Sequence, residues 1–151
     1  MIIDFHTHLI PPSFDGRREE IAAKDRTFAA LFADPKSKIA NHDELLAAMD
    51  EDGVDMSVAL GFGWTDAGVA RESNDYLLKA AGVSNGRIIA FCSIDPSWGD
   101  DALSEVKRCV AAGARGIGEL HPSTQGITLA TDRGLACIME FAAQEELPVV
   151  V

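Results

Sequence analysis

The sequence has few cysteines and few basic residues. Cys92, Cys109 and Cys137 are the only three cysteines among 151 residues, and no two of them form a C-x-x-C pair. A disulfide framework and a zinc ribbon are therefore excluded, and we expect three reduced thiols in the core. Lysine and arginine total 13 against 24 acidic residues, which gives a net charge of −11. Because no basic cluster interrupts this negative charge, nucleic acid is not expected as a partner.

The chain also has no apolar run that approaches the roughly 20 residues a membrane-spanning helix needs. Its N-terminus lacks the basic region, apolar stretch and small-residue cleavage site of a secretory signal. We therefore expect a cytoplasmic protein without a membrane partner. Hydrophobic residues make up 47% of the chain and charged residues 25%, which supplies enough apolar material for one core. The composition predicts a single globular unit.

Short apolar runs alternate with helical patterns along the chain. The runs cover residues 2–5, 56–62, 88–94, 114–120 and 148–151, and apolar side chains on both faces indicate buried parallel strands. Between them, apolar residues at helical spacing predict helices at residues 26–33, 42–49, 71–81, 101–112 and 132–146. This alternation predicts an α/β fold of about five parallel strands covered by helices, either a doubly wound sheet or a barrel.

The stretch of residues 9–41 is much longer than the other connections. It contains Pro11-Pro12, Asp15-Gly16 and the short predicted helix at residues 26–33. We interpret it as an insertion after the first strand that forms part of a lid or of a substrate pocket. For residues 16–24 alone, a mobile surface loop is an equal alternative.

Two histidines, His6 and His8, close the first apolar run. Alternate side chains of a strand share a face, so Asp4, His6 and His8 are expected on one side. Neutral imidazole nitrogens bind zinc and similar divalent ions, and barrel enzymes place their active sites at the C-terminal ends of strands. We predict His6 and His8 as metal ligands. Asp4 lies deeper on that face and is predicted to hold a histidine ring as a hydrogen-bond acceptor, rather than to bind the metal.

The fourth apolar run ends in a second polar pair, Glu119 and His121. Both side chains fall on one face at the matching end of the strand, where a carboxylate needs a cation or hydrogen-bond donors. Glu119 is predicted as the third metal ligand, with pairing to Arg115 or a solvated position at the rim as alternatives. His121 either contacts substrate or ends the strand. Trp64, after the second run, either lines the substrate pocket or packs over the sheet.

Four segments together resemble the amidohydrolase superfamily, and are most similar to its amidohydrolase-related branch of metal-dependent hydrolases and decarboxylases. They are IDFHTH at residues 3–8, LLAAMDEDGVD at residues 45–55, NDYL at residues 74–77 and GIGELHP at residues 116–122. The resemblance implies a distorted TIM barrel with a mononuclear or binuclear divalent metal site, usually zinc. His6 and His8 match the ligand pair of the first strand. Glu119 stands where some members carry a metal-bridging carboxylate or a modified lysine.

The resemblance covers the whole chain but implies a longer barrel. A (β/α)8 TIM barrel takes about 250 residues, and the family's further histidine ligands and its aspartate come from the fifth, sixth and eighth strands. We therefore expect residues 1–151 to form the N-terminal part of a TIM-like barrel as a single partial domain, either truncated or completed by a partner such as a second copy. The family's usual catalytic carboxylate would lie beyond residue 151, so no catalytic residue is assigned.

Hydrolysis of an amide or ester-like bond in a small carbonyl compound, by metal-activated water, is the predicted function. Non-oxidative decarboxylation of an aromatic or unsaturated acid is the nearest alternative, because the same branch performs both reactions. A phosphoesterase of the polymerase-and-histidinol-phosphatase type also opens with His-x-His, but the second-strand Asp-His pair expected of that type is missing here. A further alternative is non-catalytic, an inactive partial barrel that serves as a folding or assembly module.

Overall fold

A computed structural model describes the whole chain, residues 1–151. Its sheet has three parallel strands, β1 (Ile3–His8), β2 (Met56–Leu60) and β3 (Ile88–Ala90), in the order β1-β2-β3. Strands that are neighbours in the sheet are also neighbours in sequence, and helical segments connect them. The parallel α/β arrangement expected from the apolar runs is therefore confirmed for the first three of them.

The fourth and fifth predicted strands do not form. Ile117 makes one isolated parallel bridge with Cys92 and another with Val149, so these segments extend the sheet in sequence order without a continuous ladder. Gly116 and Gly118 flank Ile117, and Gly118 has a φ of 135°, outside the extended region. The prediction of five strands is thus wrong in number. The strands follow one another in the sheet in the same order as in the sequence. This order still favours a barrel, because the strand order of a doubly wound sheet reverses at a switch point.

The helices predicted from apolar spacing are all present, close to their predicted ends. The chain forms α1 (Arg18–Ala22), α2 (Arg26–Phe32), α3 (His42–Asp52), α4 (Ala67–Val83), α5 (Asp100–Ala111), α6 (Pro122–Gln125) and α7 (Arg133–Gln144), with 3₁₀ turns at Pro12–Arg17 and Pro96–Trp98. None of these helices combines the length and the apolar character needed to cross a lipid bilayer.

Capping residues explain where α3 begins and ends. The Asn41 side chain accepts hydrogen bonds from the first turn, and the Glu44 side chain accepts one from the backbone N–H of Asn41, which forms a capping box. Gly53 ends the helix with a φ of 70°, a left-handed conformation that glycine adopts without steric cost. Both ends of α3 are therefore set by residues of the helix itself or directly beside it.

The sheet separates two groups of buried apolar side chains. On one face, Ala59 and Ala90 pack with Leu77 of α4. The opposite face, called the inner face below, carries Val58 and Leu60 with Phe91. A larger cluster lies between α5, α7 and the segments that follow β3. Burial of this apolar surface is the main stabilising contribution to such a fold.

Two of the three cysteines lie in the core as predicted, and the third does not. Cys92 and Cys109 are buried, whereas Cys137 is exposed on α7. The buried side of α7 is formed by Leu135 and Ile138. Position 137 falls outside this apolar stripe because a helix turns by about 100° per residue. The hydrogen bond with Cys92 and, after it, burial raise the pKa of Cys109, which keeps its thiol protonated.

The insertion at residues 9–41 is mostly helical and is attached to the segment after β2. Asp25 is buried, and its carboxylate accepts hydrogen bonds from the backbone N–H groups of Thr65 at 2.6 Å and Asp66 at 2.8 Å. The hydroxyl of Thr27 donates to the Gly63 carbonyl at 2.6 Å. Residues 16–24, for which a loop was the alternative, belong largely to the 3₁₀ turn and α1. The insertion therefore covers the edge of the sheet at which β2 ends.

Candidate metal centre

The three predicted metal ligands meet at the C-terminal edge of the sheet. The Nε2 atoms of His6 and His8 are 3.0 Å apart. Glu119 Oε2 lies 3.6 Å from His6 Nε2 and 3.4 Å from His8 Nε2. These three residues form the only group of potential ligands in the chain whose donor atoms all lie within 4.8 Å of one another. The sequence analysis placed His6 and His8 on the first predicted strand and Glu119 on the fourth, and the fold brings the three side chains together.

Strand β1 does not alternate regularly, contrary to the prediction. Asp4 pairs with Ser57 and Thr7 pairs with Ala59, so three steps along β1 match two steps along β2. One extra residue is therefore inserted between Asp4 and Thr7, as in a β-bulge. Because side chains 57 and 59 of β2 share a face, Asp4 and Thr7 also share it, and His8 points to the opposite, inner face. The expectation that Asp4 shares a face with His8 is wrong.

Asp4 supports the backbone at this bulge instead of holding a histidine ring. Its Oδ1 accepts a hydrogen bond from the backbone N–H of His6 at 3.1 Å. A carboxylate that bonds the backbone two residues further on stabilises a turn, and here the turn coincides with the bulge. The ring-holding role predicted for Asp4 is filled by a backbone atom, because Gly61 O lies 3.2 Å from His8 Nδ1.

The contact with Gly61 determines which nitrogen of His8 faces the site. A carbonyl oxygen can only accept, so Nδ1 carries the proton and the neutral ring leaves the Nε2 lone pair directed toward Glu119. Burial lowers the pKa of His8, the charge of Glu119 opposes this effect, and His6 adds to it. The lowered pKa favours the neutral imidazole, which is the form that binds metal ions.

The geometry of the three donor atoms fits one divalent ion. Bonds of about 2.0–2.2 Å at tetrahedral or octahedral angles place ligand atoms roughly 2.9–3.6 Å apart. The observed separations of 3.0, 3.4 and 3.6 Å fall in this range. Two imidazoles with a carboxylate are also a donor set that suits first-row divalent metals. His6, His8 and Glu119 could therefore hold such an ion without rearrangement of the backbone.

The two residues predicted to contact substrate have other partners. His121 is half-buried, and its Nδ1 lies 3.1 Å from the hydroxyls of both Ser123 and Thr124. Trp64 is fully buried and packs against Phe14 and other aromatic rings of the insertion. It offers no exposed surface to a ligand, so its contacts correspond to the packing alternative. His121 keeps an exposed fraction and stays a prediction as a substrate contact.

Sequence reasoning missed two residues beside His8. Gly61 supplies the carbonyl that holds the ring, and Phe62 stacks on it with ring centroids 4.0 Å apart and an interplanar angle of 12°. Both follow β2 directly, at the same edge of the sheet as His8. An aromatic residue between two glycines at the end of a strand was the available signal, because glycine lets the backbone approach a neighbour closely.

A buried glutamine, Gln125, connects the ends of three segments around the site. Its side-chain amide donates to the Ile94 carbonyl at 2.7 Å, and its Oε1 accepts from the backbone N–H of His121 at 2.7 Å. The backbone of Gly63 runs so close that a Cβ there would lie 2.5 Å from this oxygen. These contacts fix the loops that surround the three candidate ligands.

The sequence pattern of a known enzyme family matches almost the entire chain. The model of the family described as "Amidohydrolase" matches residues 3–151. The chain belongs to the amidohydrolase family. The resemblance identified from the four sequence segments is thereby confirmed. Among curated protein sequences, this amidohydrolase chain has no match.

Solved structures share the fold of this amidohydrolase chain at low sequence identity. A 4-oxalomesaconate hydratase from Rhodopseudomonas palustris has 24% identity and a TM-score of 0.68 over 99% of the chain. A 5-carboxyvanillate decarboxylase from Novosphingobium aromaticivorans, with bound manganese and 3-methoxy-4-hydroxy-5-nitrobenzoic acid, has 17% identity and a TM-score of 0.77 over 99% of the chain. A manganese-bound dihydroxybenzoic acid decarboxylase from Polaromonas sp. JS666, with the inhibitor 2-nitroresorcinol, has 16% identity and a TM-score of 0.61 over 98% of the chain.

The chain spans about half the length of these solved structures, namely 51%, 49% and 48% of them in the order given. Identity below 25% shows a shared fold and no more. The amidohydrolase chain is therefore a mixed α/β unit that matches part of a TIM-barrel fold, as the sequence predicted. Its reaction and substrate do not follow from the fold alone.

Proposed function

We propose that His6, His8 and Glu119 bind a divalent metal ion, and that the protein is a metal-dependent enzyme acting on a small carbonyl or carboxylate compound. The observation that carries this proposal is the convergence of their three donor atoms within 4.8 Å at the C-terminal edge of the sheet. Membership of the amidohydrolase family supports it, because the match includes all three residues.

The exposure of the three ligands is suited to a catalytic site. The side chains of His8 and Glu119 are 25% and 23% exposed, and that of His6 is 48% exposed. A structural metal site is usually closed by four protein ligands, whereas a catalytic site keeps a position open for water or substrate. When bound, a divalent ion there would polarise a carbonyl or carboxylate oxygen and lower the pKa of water.

The identity of the metal is part of the proposal. Two imidazoles and one carboxylate suit zinc, which is the ion expected from the sequence resemblance. The two decarboxylases of similar fold contain manganese. Both ions therefore need to be tested, and the same three residues are expected to bind either.

Hydrolysis of an amide or ester-like bond is the first candidate reaction, as predicted from the sequence. Non-oxidative decarboxylation is the second, and the observation that favours it is the fold shared with two decarboxylases of aromatic acids. In both reactions His121 is proposed to contact the substrate, a proposal supported by its residual exposure and by its position two residues after Glu119 in the sequence. Release of carbon dioxide from aromatic acids, measured beside cleavage of amides and esters, distinguishes the two.

Metal content measured after loading with Mn²⁺ or Zn²⁺ and desalting tests the proposal. The wild-type chain should retain metal, and His6→Ala/His8→Ala should lose it. His42→Ala is the matched control, because His42 contacts Tyr76 on α4 and is not among the three converging ligands. Equal metal content in the wild type and in the double variant would overturn the assignment. Loss in His42→Ala as well would point to general unfolding.

A further inference from the structure

Phe62 lies flat against one of the proposed ligands. Its ring is nearly parallel to that of His8, with an interplanar angle of 12° and centroids 4.0 Å apart. His6 has no such neighbour, since its only aromatic contact is an edge-on one with His8, at 4.9 Å and 65°. The two proposed ligands are thus held differently, and His8 is the more restrained.

The stacking complements the hydrogen bond to Gly61. The 3.2 Å contact between Gly61 O and His8 Nδ1 fixes one atom of the ring, and the ring can still turn about that point. A parallel aromatic surface at 4.0 Å fixes the plane of the ring. Together the two contacts leave Nε2 directed toward Glu119. Adjacent residues of one loop therefore supply both restraints.

Phe62 is itself held in place by the insertion and by the segment after β3. Its ring packs edge-on against Phe32 of α2, with centroids 5.0 Å apart, and against Trp64 at 5.5 Å. Its backbone carbonyl accepts a hydrogen bond from the hydroxyl of buried Ser93. A ring with aromatic partners on several sides loses little further conformational freedom when it supports a histidine.

We propose that Phe62 is a positioning residue for the metal site, which orients the His8 ring by stacking and connects that ring to the folded insertion. The effect of Phe62 on metal binding rests on the proposed function, since it requires that His8 binds a metal ion. The orientation of His8 is a separate statement that can be tested on the metal-free chain.

The experiment compares Phe62→Leu, Phe62→Tyr and Phe28→Leu in the full chain. Leucine keeps the apolar volume but removes the flat ring, and tyrosine retains it. Phe28→Leu is the matched control, because Phe28 belongs to the same aromatic cluster and makes no stacking contact with His8. Loss of a residue that orients a metal ligand typically weakens metal affinity by about 10–100-fold. We expect that loss of Mn²⁺ affinity for Phe62→Leu, and wild-type affinity for Phe62→Tyr and Phe28→Leu.

A second readout does not depend on metal. The ring protons of His8 in the metal-free wild type should be shifted upfield by the current of the stacked Phe62 ring, relative to those of His6. This NMR shift should disappear in Phe62→Leu and persist in Phe28→Leu. Unchanged His8 shifts or unchanged metal affinity in Phe62→Leu would overturn the proposal, as would equal weakening in Phe28→Leu. If the wild type binds no metal, the proposed function fails and the NMR shift alone decides the orientation of His8.

Discussion

The Oε2 atom of Glu119 lies 3.4 Å from the Nε2 atom of His8, although β2 and β3 separate β1 from the segment that carries Glu119. The two side chains therefore meet across the inner face of the sheet rather than along one strand. Such an approach of a half-buried carboxylate to a half-buried imidazole is costly unless charge is shared or neutralised. A divalent cation between them would satisfy both groups.

Replacement of Glu119 by glutamine should weaken metal binding. The variant Glu119→Gln keeps the shape of the side chain and removes its charge. Loss of a residue that only supports a ligand weakens metal affinity by about 10–100-fold, so loss of a ligand should lower the affinity for Mn²⁺ or Zn²⁺ by at least about tenfold. Isothermal titration measures this directly. Glu140→Gln, at an exposed position on α7, should bind as the wild type does. Unchanged metal affinity in Glu119→Gln would show that Glu119 is not a ligand and that only the two histidines bind the metal.

A methyl group at Gly63 should destabilise the fold. The Cβ of Gly63→Ala would lie 2.5 Å from both Gln125 Oε1 and the backbone nitrogen of His121, so the loops around the site would have to separate. Overpacking of this kind costs about 1–3 kcal/mol in the free energy of unfolding. Urea unfolding should show the loss. Gly82→Ala, where the added Cβ has open space within α4, should instead stabilise by about 0.5–1 kcal/mol. Changes of the same sign in the free energy of unfolding of both variants would contradict this prediction.

Asp25 should contribute more to the free energy of unfolding than an ordinary helix cap does. Its carboxylate accepts from the backbone N–H of Phe28 at the start of α2 and from those of Thr65 and Asp66. Asp25→Ala removes the cap and leaves two more amides without partners, so we expect a loss of about 3 kcal/mol or more. Asp132→Ala, which removes only the cap of α7, should cost about 1 kcal/mol. Similar unfolding midpoints for the two variants would show that the insertion is not held through Asp25.

Glu105 should make stability depend on pH. Burial raises its pKa, but hydrogen bonds from Arg108 and Asn74 outweigh this effect, so the net pKa of Glu105 is lowered. A carboxyl group with a lower pKa in the folded state contributes stability above its ordinary pKa of about 4.3 and loses it as the pH falls through the folded value.

The variant Glu105→Gln should therefore be less stable than the wild type at neutral pH, by about 1.5–3 kcal/mol for lost charged hydrogen bonds. The difference in urea midpoint should shrink as the pH falls below the ordinary glutamate pKa of about 4.3 and through the lowered pKa of Glu105, because the wild-type carboxylate then becomes protonated as well. Glu51→Gln, at an exposed position of α3, serves as the control and should match the wild type throughout. A difference that is constant with pH would exclude a role for the Glu105 charge.

Much of the fold follows from local signals in the sequence. The caps at Asn41 and Asp132 and the glycine at position 53 fix helix ends through contacts within a few residues, so the positions of these helices could be predicted from the sequence. The strand count does not follow in this way. Ile117 sits in an apolar run like any strand residue, and only the structure shows that its pairing with Cys92 and Val149 is limited to isolated bridges beside Gly118, whose φ is 135°.

The candidate ligands could also be predicted, because residue type and position at strand ends are local properties. The supports of His8 could not. Which carbonyl accepts from Nδ1 and which ring stacks on the imidazole depend on the path of the loop after β2, set by contacts with the insertion and with Ser93. The same reason explains Trp64, whose burial is decided by aromatic partners far away in sequence.

The extra residue in β1 reverses which side chains, odd-numbered or even-numbered, point to the inner face of the sheet. Before it, the odd-numbered Ile3 shares the side of β2 Met56, and after it the even-numbered His8 shares the side of Leu60. Deletion of one residue here would restore a regular strand and keep His8 paired with Leu60 on the inner face, whereas a regular strand of the present length would turn the imidazole of His8 to the helical layer. The face on which His8 lies relative to Asp4 therefore depends on an irregularity of the backbone, which the simple alternation of a strand does not predict.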